Sequence, residues 1–415
     1  MANTLLTVSQ ITNEALMVLE NELTFSSEVD RQYDDQFAVA GAKIGATLNI
    51  RRPARFVGTE GPALAVEDFN ETSIPLTLTT QFHVDTQFTT QDLALSMDAF
   101  SDRVIKPKVA AIANKIDRDG LLMATNNVGN IVGTPGTTPN QLLTYLDAGA
   151  YLDSEGAPRR GDRAVVLAPF MSPAIVDSLK GLFVPSDRIG EQYQTGLMGR
   201  DSGGMNWKQD ANVVSQTFGS WNTTAGAITV NGGGQGLATG WARTSTINIS
   251  STQAGVLNQG DCISFAGVYG VNPQSRQSYG KLRNFVVTSA VTLANGNTSV
   301  TIQPALIYGG QFQNVSASPA NGGTVTPYSM ATGTANAVVS PQAILYHKNA
   351  FTMAMADLPL PEGVVFAGRA ADKDVGLSIR IVRQYTINND SIPGRLDVLY
   401  GWGVLYPELA CRIAG

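Results

Sequence analysis

The chain contains few of the side chains that usually carry catalysis or bind metals. It has two histidines, His83 and His347, and two cysteines, Cys262 and Cys411. Each pair is far apart in the sequence, so neither the spacing of a zinc site nor a disulfide framework is present. The sequence Asp117-Arg-Asp119 lacks the ligand spacing of a calcium loop and is better interpreted as a solvated helix end. We therefore expect no metal and no cofactor, and two free thiols in a reducing compartment.

A serine nucleophile is the main catalytic hypothesis to weigh. Residues 200–204 read Arg-Asp-Ser-Gly-Gly, which contains the string found around the nucleophile of trypsin-like proteases. Such a serine needs a histidine base, and neither histidine lies in the Ala-Ala-His-Cys context of those enzymes. A glycine-rich turn is the better interpretation. We therefore predict that the chain is not an enzyme, with a Ser202-dependent hydrolase as an alternative.

Length and charge limit the number of domains and the kinds of partner that the chain can have. The 415 residues suit two or three domains. The formal net charge of −6 argues against tight binding of nucleic acid, which requires a basic face. Neither a signal peptide nor an apolar run of membrane-spanning length is visible, so we expect a protein made in a cytoplasm without membrane contact.

The most informative segment is a long alternating stretch from Ile74 to Phe88. Apolar residues hold the even positions and polar residues the odd ones, which predicts one strand about 50 Å long. Residues 48–56 alternate in the same way, and together the two stretches predict a long hairpin. It is too long to be covered by its own domain, so we expect a neighbouring subunit to cover it. The predicted contact residues are the charged ones of its basic stem and acidic tip, namely Arg51, Arg52, Arg55, Glu60, Glu67, Asp68 and Glu71.

Two amphipathic helices are predicted on either side of this hairpin. Residues Thr4 to Leu23 form the first, which packs either on its own domain or on a neighbour. Residues Leu93 to Met123 form the second, with an apolar stripe at Ile105, Val109, Ile112 and Ile116. Pro107 is expected to kink this helix or to mark a new first turn, and Gly120 to weaken its far end.

The remainder reads as a mixed region interrupted by short strands. Residues 126–140 are expected to be a loop, Ala164 to Leu167 a buried strand, and Pro173 to Gly181 a short helix. From about residue 225 to 334, short strands alternate with Gly/Asn turns, which predicts an inserted antiparallel barrel or sandwich. The predicted strands are Ile228–Val230, Thr246–Ser250, Ile263–Val268, Phe285–Val291 and Ser299–Leu306. Their predicted core consists of Ile228, Ile249, Ile263, Phe265, Phe285, Val287, Val300 and Ile302, with Asp261 accepting backbone N–H bonds at a turn.

Two long alternating stretches follow the inserted segment. They run from Val375 to Ile387 and from Leu396 to Val404, and a turn at residues 388–394 separates them. We expect them to form an antiparallel pair that closes the fold.

This order of elements resembles the major capsid proteins of tailed double-stranded-DNA phages, of the short-tailed-phage type with an inserted β-domain. Three stretches carry the likeness: Asp98-Ala-Phe-Ser-Asp-Arg-Val-Ile-Lys-Pro107 through Ala113-Asn-Lys-Ile-Asp117, Gly260-Asp-Cys-Ile-Ser-Phe-Ala-Gly-Val268, and Leu396-Asp-Val-Leu-Tyr-Gly-Trp-Gly403 through Leu409-Ala-Cys-Arg-Ile413. The resemblance implies an α+β shell fold. Its expected parts are an N-terminal arm (1–45), an extended loop hairpin (46–90), a spine helix (91–126), a central domain (127–224), an inserted β-barrel (225–334), and the central domain's return with the C-terminal strand pair (335–415). One departure is that the charged loop expected between Val230 and Gly260 is short and uncharged here.

The same resemblance implies a structural function. Copies of the chain would form the hexamers and pentamers of an icosahedral virion capsid. Assembly would take place in the host cytoplasm with a scaffolding protein. A double-stranded DNA genome would enter through a portal protein and contact the shell weakly and non-specifically. A phage tail or decoration protein built of β-domains is the structural alternative.

Overall fold

The computed structural model describes residues 12, 15–19, 23–32, 47–89, 104–159, 161–178, 202–220, 228–236, 240–252, 254–328, 337–372 and 377–415. Its helices include α1 (Lys106–Asn127), α2 (Leu142–Ser154) and α3 (Met171–Ser178). Its strands are β1 (Thr47–Arg52), β2 (Thr72–Thr77), β3 (Thr80–Thr89), β4 (Ile131–Gly133), β5 (Arg163–Leu167), β6 (Asn206–Gln209), β7 (Ser215–Thr217), β8 (Ile228–Val230), β9 (Ser245–Ser251), β10 (Gly255–Leu257), β11 (Cys262–Val271), β12 (Ser278–Val287), β13 (Val291–Leu293), β14 (Gly296–Gln303), β15 (Thr324–Pro327), β16 (Val339–His347), β17 (Phe351–Met355), β18 (Phe366–Asp372), β19 (Leu377–Arg383), β20 (Ser391–Val404) and β21 (Ala410–Ala414).

These elements form two compact units. The first unit comprises residues 1–50, 74–120 and 351–403, and the second comprises residues 51–73, 121–350 and 404–415. Helices and mostly antiparallel strands are mixed along the chain, so the predicted α+β class is confirmed. In the described part of the chain, no helix is long and apolar enough to cross a membrane.

The first unit is built on a sheet in the order β17-β20-β19-β18, with β3 also paired to β20. The antiparallel pairing of β19 with β20, with Ile381 opposite Leu396, confirms the predicted C-terminal pair. The first strand of the pair is shorter than predicted, because it ends at Arg383 and the chain turns between Thr386 and Ser391. Ile387 lies in that turn and is exposed.

Helix α1 buries the apolar stripe predicted from its sequence. Ile105, Val109, Ile112 and Ile116 are all buried. Pro107 is the second residue of α1, and Val104 and Ile105 before it are π-helical, so the proline lies where a π-helical turn passes into the α-helix. The predicted residues before 104 lie outside the described ones. Gly120 does not end the helix, which continues to Asn127.

Close packing explains the glycine at position 120. A Cβ atom there would lie 2.6 Å from the Trp402 ring and 2.8 Å from the Phe25 ring. These distances are shorter than any ordinary carbon–carbon contact, so only glycine lets the two rings approach the helix. The two rings also contact each other, with centroids 5.5 Å apart.

A buried carboxylate holds the segment after the first predicted helix. Residues 15–19 are helical and Ala15, Leu16 and Leu19 are buried, while most of the predicted helix lies outside the described residues. The Asp117 carboxylate of α1 accepts hydrogen bonds from the backbone N–H groups of residues 24–26 at 2.7–3.2 Å, and from the Ser26 hydroxyl. The predicted solvated helix end at Asp117 is therefore wrong: the side chain is buried and anchors another segment.

The single long strand predicted from Ile74 to Phe88 is divided in two. β2 pairs with β1, whereas β3 pairs with β20 over ten residue pairs from Thr80 to Thr89. The alternation is real on both strands: Ile74 and Leu76 are buried, and the odd positions 81, 83, 85 and 87 of β3 are exposed. The period of two shows which face is covered, but it does not show that the pairing partner changes at residues 78–79.

The second unit contains a core sheet in the order β4-β21-β16-β5-β6, with β7 also paired to β16. The predicted strand at residues 164–167 is confirmed as β5, and all its residues are buried. The predicted short helix is α3, which begins two residues earlier, at Met171. The predicted loop at 126–140 is partly wrong, because residues 131–133 form β4 parallel to β21. A three-residue strand gives too short a pattern to recognise.

The inserted segment contains a closed barrel in the order β11-β12-β14-β9-β8-β15, in which all pairs are antiparallel. In β9, Ile247 and Ile249 are buried while Thr246 and Asn248 are exposed, which is the alternation expected of a barrel wall. All eight predicted core residues belong to one buried cluster. The barrel strands run from Ile228 to Pro327, and the domain boundaries at 225 and 334 stay predictions.

The outer side of the barrel is continuous with the core of the second unit. Cys262 and Val286 of the barrel form one buried cluster with Phe218, Ile131 and Ala414. The fully buried Arg412 guanidinium adds hydrogen bonds to the side-chain oxygen of Gln342 and to the carbonyls of Thr125 and Gly260. The inserted barrel is therefore fixed to the sheet by both apolar and polar contacts.

Candidate subunit-contact surface

The predicted hairpin forms an open loop between two short paired strands. β1 and β2 make a two-stranded sheet, and residues 53–71 between them, here called the extended loop, contain no strand. Pro53 follows β1 directly and cannot donate a ladder hydrogen bond, which is consistent with the strand ending there. All but three of the loop residues are exposed.

Four of the predicted charged residues form ion pairs at the base of this loop. The Arg52 and Arg55 guanidinium groups lie 2.9 and 3.4 Å from the Glu408 carboxylate. Arg51 and Glu71 face each other across the base at 3.6 Å, and both side chains are largely exposed. The Arg52 pair is well shielded from solvent, so it is screened less by salt than the exposed Arg51 pair.

The acidic tip closes on its own backbone. The Glu67 carboxylate accepts hydrogen bonds from the backbone N–H groups of Val57 and Gly58 at 2.7 and 2.6 Å. Phe56 and Phe69 stack across the loop with ring centroids 6.4 Å apart. The curled loop lines an open hollow of about 550 Å³. Glu60 and Asp68 are exposed. All seven predicted residues lie in this loop or directly before it, and their contact with a neighbouring subunit stays a prediction.

The tip also carries exposed apolar side chains, which the prediction from charged residues missed. Leu64, Val66 and Phe69 are 92%, 85% and 64% exposed. Three large apolar groups within six residues form an apolar patch of the kind that marks an interaction surface. The signal was present in the sequence as apolar residues in a Gly/Pro-rich segment that has no strand or helix period.

Ser202 does not lie in the geometry that a serine nucleophile requires. Ser202 opens a turn closed by Met205, and its carbonyl accepts a hydrogen bond from the Trp207 indole. The His83 ring lies 3.1 Å from the Asp85 carboxylate. Burial lowers the pKa of the His347 ring, which accepts a hydrogen bond from a backbone N–H instead. Within the described residues, no hydrogen bond joins Ser202 to either histidine.

The remaining candidate ligands are used for structure. Burial raises the pKa of the Cys262 thiol to about 11 and raises that of Cys411, so neither is an activated nucleophile. The Asp119 carboxylate accepts hydrogen bonds from Tyr400 and Lys115. Across the described ranges, no group of three or more His, Cys, Asp or Glu side chains is placed to hold a metal ion.

The Asp261 carboxylate connects the barrel to the preceding chain. It accepts hydrogen bonds from the backbone N–H groups of Gly219 and Asn258 at 2.9 and 2.7 Å, which confirms its predicted role at a turn. Burial raises its pKa to about 6, against the opposing effect of these bonds and of the nearby Arg412 charge.

Solved phage capsids are similar to this chain. The capsid of bacteriophage PhiM1 has 11% identity and a TM-score of 0.45, with 94% of this chain and 86% of that chain covered. The cyanophage P-SCSP1u capsid has 10% identity and a TM-score of 0.42, with 93% and 88% covered. The capsid of Ralstonia phage GP4 has 7% identity and a TM-score of 0.42, with 94% and 87% covered. No curated protein sequence matches the chain.

A protein family matches along the whole length. Residues 1–415 match the family described as P22 coat protein, gene protein 5. A match of this extent covers the extended loop, the barrel and the sheets of both units together, and it favours a capsid protein over the tail and decoration alternatives. The chain therefore belongs to the P22 coat protein family and is a major capsid protein that forms the shell of a phage virion.

Proposed function

We propose that this capsid protein assembles with a scaffolding protein in the host cytoplasm. The product is an icosahedral shell of hexamers and pentamers, and a double-stranded DNA genome enters it through a portal protein. The formal net charge of −6 supports a shell whose contacts with DNA are weak and non-specific, because tight contacts require a basic face. The protein's activity is binding alone, with no catalytic step.

Within this function, the extended loop is the subunit contact. The observation that carries this proposal is the exposure of Leu64, Val66 and Phe69 at its tip. Full burial of such side chains stabilises an interface by about 1.5–3 kcal/mol each. In a closed shell every copy gives one loop and receives another, so moderate contacts sum over the particle.

The charged residues divide between two roles. Arg51, Glu60, Asp68 and Glu71 are exposed and remain available to a neighbouring subunit. Arg52 and Arg55 are occupied by Glu408, and Glu67 by the loop backbone, so these residues shape the loop. We expect the tip to supply the apolar contact and the exposed charges to set its register.

Polar substitution at the tip tests this proposal. In the double variant Leu64→Ser/Val66→Ser, particle yield should fall strongly, because the apolar contact area is lost. Thermal unfolding of the unassembled chain should stay unchanged, since both side chains are already exposed. The matched control is Leu360→Ser/Val365→Ser, which alters a second exposed apolar pair outside the loop. Particle yield is measured by sedimentation and negative-stain microscopy after assembly with the scaffolding protein. Normal yield from the tip variant would refute the proposal.

A further inference from the structure

The inserted barrel holds one arm of the extended loop through an arginine. Arg276 lies in the connection between β11 and β12, and its guanidinium donates a hydrogen bond to the Phe56 carbonyl at 3.3 Å. The same guanidinium donates to the carbonyls of Gly310 and Gln311, which follow β14. One planar cation therefore joins two connections of the barrel to the first arm of the loop.

A glutamine beside it holds the other arm. The Gln311 carboxamide nitrogen donates to the Asp68 carbonyl at 2.7 Å, and its oxygen accepts from the Asn70 side chain at 3.3 Å. The carboxamide thus uses a donor and its acceptor on the same segment of chain. We call Arg276 and Gln311 together the loop seat.

The backbone at the loop seat is fixed at some cost. Arg276 has a φ of 55°, in the left-handed region that non-glycine residues rarely adopt. The preceding turn holds it there. The Asn272 carbonyl accepts a hydrogen bond from the Arg276 N–H, and the Asn272 side-chain oxygen accepts from the N–H groups of Gln274 and Ser275. A conformation of this kind that persists in a well-bonded turn is a reason to look for a function.

The base of the loop also contacts the inserted segment, through Arg52. The Arg52 guanidinium lies over the rings of Trp241 and Tyr406, 5.4 and 4.5 Å from their centroids. Trp241 packs against a buried cluster formed by Ala305, Ile307 and Phe312, which includes the neighbour of Gln311. A small apolar core therefore supports both the loop base and the loop seat.

We propose that the inserted barrel positions the extended loop, with Arg276 and Gln311 as the positioning residues that fix its two arms. The inference rests on the proposed contact of this loop with a neighbouring subunit, and it assigns the barrel a role within each subunit. A loop ordered before assembly loses less conformational entropy when it binds, so the seat favours assembly without touching the neighbour.

Amide hydrogen exchange of the intact, unassembled chain tests the seat directly. The reporters are the N–H groups of Val57 and Gly58, which are bonded to Glu67 only while the loop is closed. In Gln311→Ala these amides should exchange about tenfold faster, the effect expected when anchoring hydrogen bonds are lost. Barrel amides should not change, because among the described residues the hydrogen bonds of the Gln311 side chain go to the loop alone.

A second variant and a matched control complete the design. Arg276→Asn removes the guanidinium but keeps a residue that tolerates positive φ, and it should accelerate the same amides. Lys281→Asn removes an exposed cation of β12 and should have no effect. If Arg276→Asn also destabilises the barrel, the result from Gln311→Ala decides. Unchanged exchange at Val57 and Gly58 in Gln311→Ala would overturn the proposal.

A distance measurement reports the orientation itself. Spin labels at Leu64→Cys and Thr246→Cys would report the distance between the loop tip and the barrel wall. The two native thiols are buried, whereas both label sites are exposed. Gln311→Ala should broaden the distance distribution, and an unchanged distribution would count against the seat. Both measurements use the unassembled chain, so they are independent of the tip variants that test the subunit contact.

Discussion

Replacing Phe265 by alanine should remove the central aromatic contact of the barrel. Phe265 is fully buried, and its ring lies 5.5 Å from that of Phe285 at a tilted angle of 55°. Its backbone pairs with Val325 of β15, so the side chain lies within a closed wall that has little freedom to collapse. A buried Phe→Ala change costs about 3–5 kcal/mol, and loss of the aromatic pair accounts for about 0.5–1.5 kcal/mol of it.

Native-state amide exchange of the intact chain measures this cost where it arises. A loss of about 3–5 kcal/mol accelerates exchange that requires barrel opening by between about a hundredfold and several thousandfold. The amides to follow are those of β9, β11 and β14. The control Leu282→Ala, at a partly exposed position of β12, should cost about 1 kcal/mol or less. If Phe265→Ala changed exchange no more than Leu282→Ala, the assignment of this strand's inner face would be refuted.

Three further predictions concern two buried carboxylates and the serine that was considered as a nucleophile. Asp117→Ala should lower the free energy of unfolding by no more than about 1.5–3 kcal/mol for each charged hydrogen bond that is lost. It should also accelerate amide exchange at residues 24–26, whereas replacement of the exposed Arg118 by alanine should not. Equal exchange rates in the two variants would contradict the anchor. Because the pKa of Asp261 is raised to about 6 in the folded chain, its charged form opposes folding, so wild-type stability should fall relative to Asp261→Asn by about 2–3 kcal/mol as pH rises from 4 to 7. A difference in free energy of unfolding between the two proteins, measured by urea unfolding, that stays constant across that pH range would show the reasoning to be wrong. Ser202→Ala should leave any peptidase or esterase activity of a purified preparation unchanged, and loss of a measured activity in that variant would restore the hydrolase hypothesis.

The local sequence pattern was sufficient to predict an element and its buried face where the side chains of that element alone decide which face is buried. The stripe on α1 and the eight barrel core residues were predicted correctly, because a period near 3.6 or of two places one set of side chains on one face. The same reasoning located the pair β19 and β20, which are joined by a short turn. The role of Asp261 followed from turn chemistry, which acts over a few residues.

Contacts between segments that are distant in the chain could not be predicted from the sequence. Alternation from Ile74 to Phe88 could not show that β2 and β3 have different partners, because the partners lie before and far after them in the chain. The anchor at Asp117 and the seat at Gln311 join residues separated by about 91–93 and 241–243 positions. No spacing rule covers such pairs, since only the folded backbone brings them together.

The division is clearest in the extended loop. The sequence by itself predicted a long hairpin that is too long to be covered by its own domain, with an acidic tip that contains Gly58, Gly61 and Pro62. Only the tertiary structure decided that Arg52 and Arg55 bind Glu408, that Glu67 closes the tip, and that Leu64, Val66 and Phe69 are left exposed. Charge type is a property of a residue, whereas the availability of a charge to a neighbouring subunit depends on which partner in its own chain reaches it first.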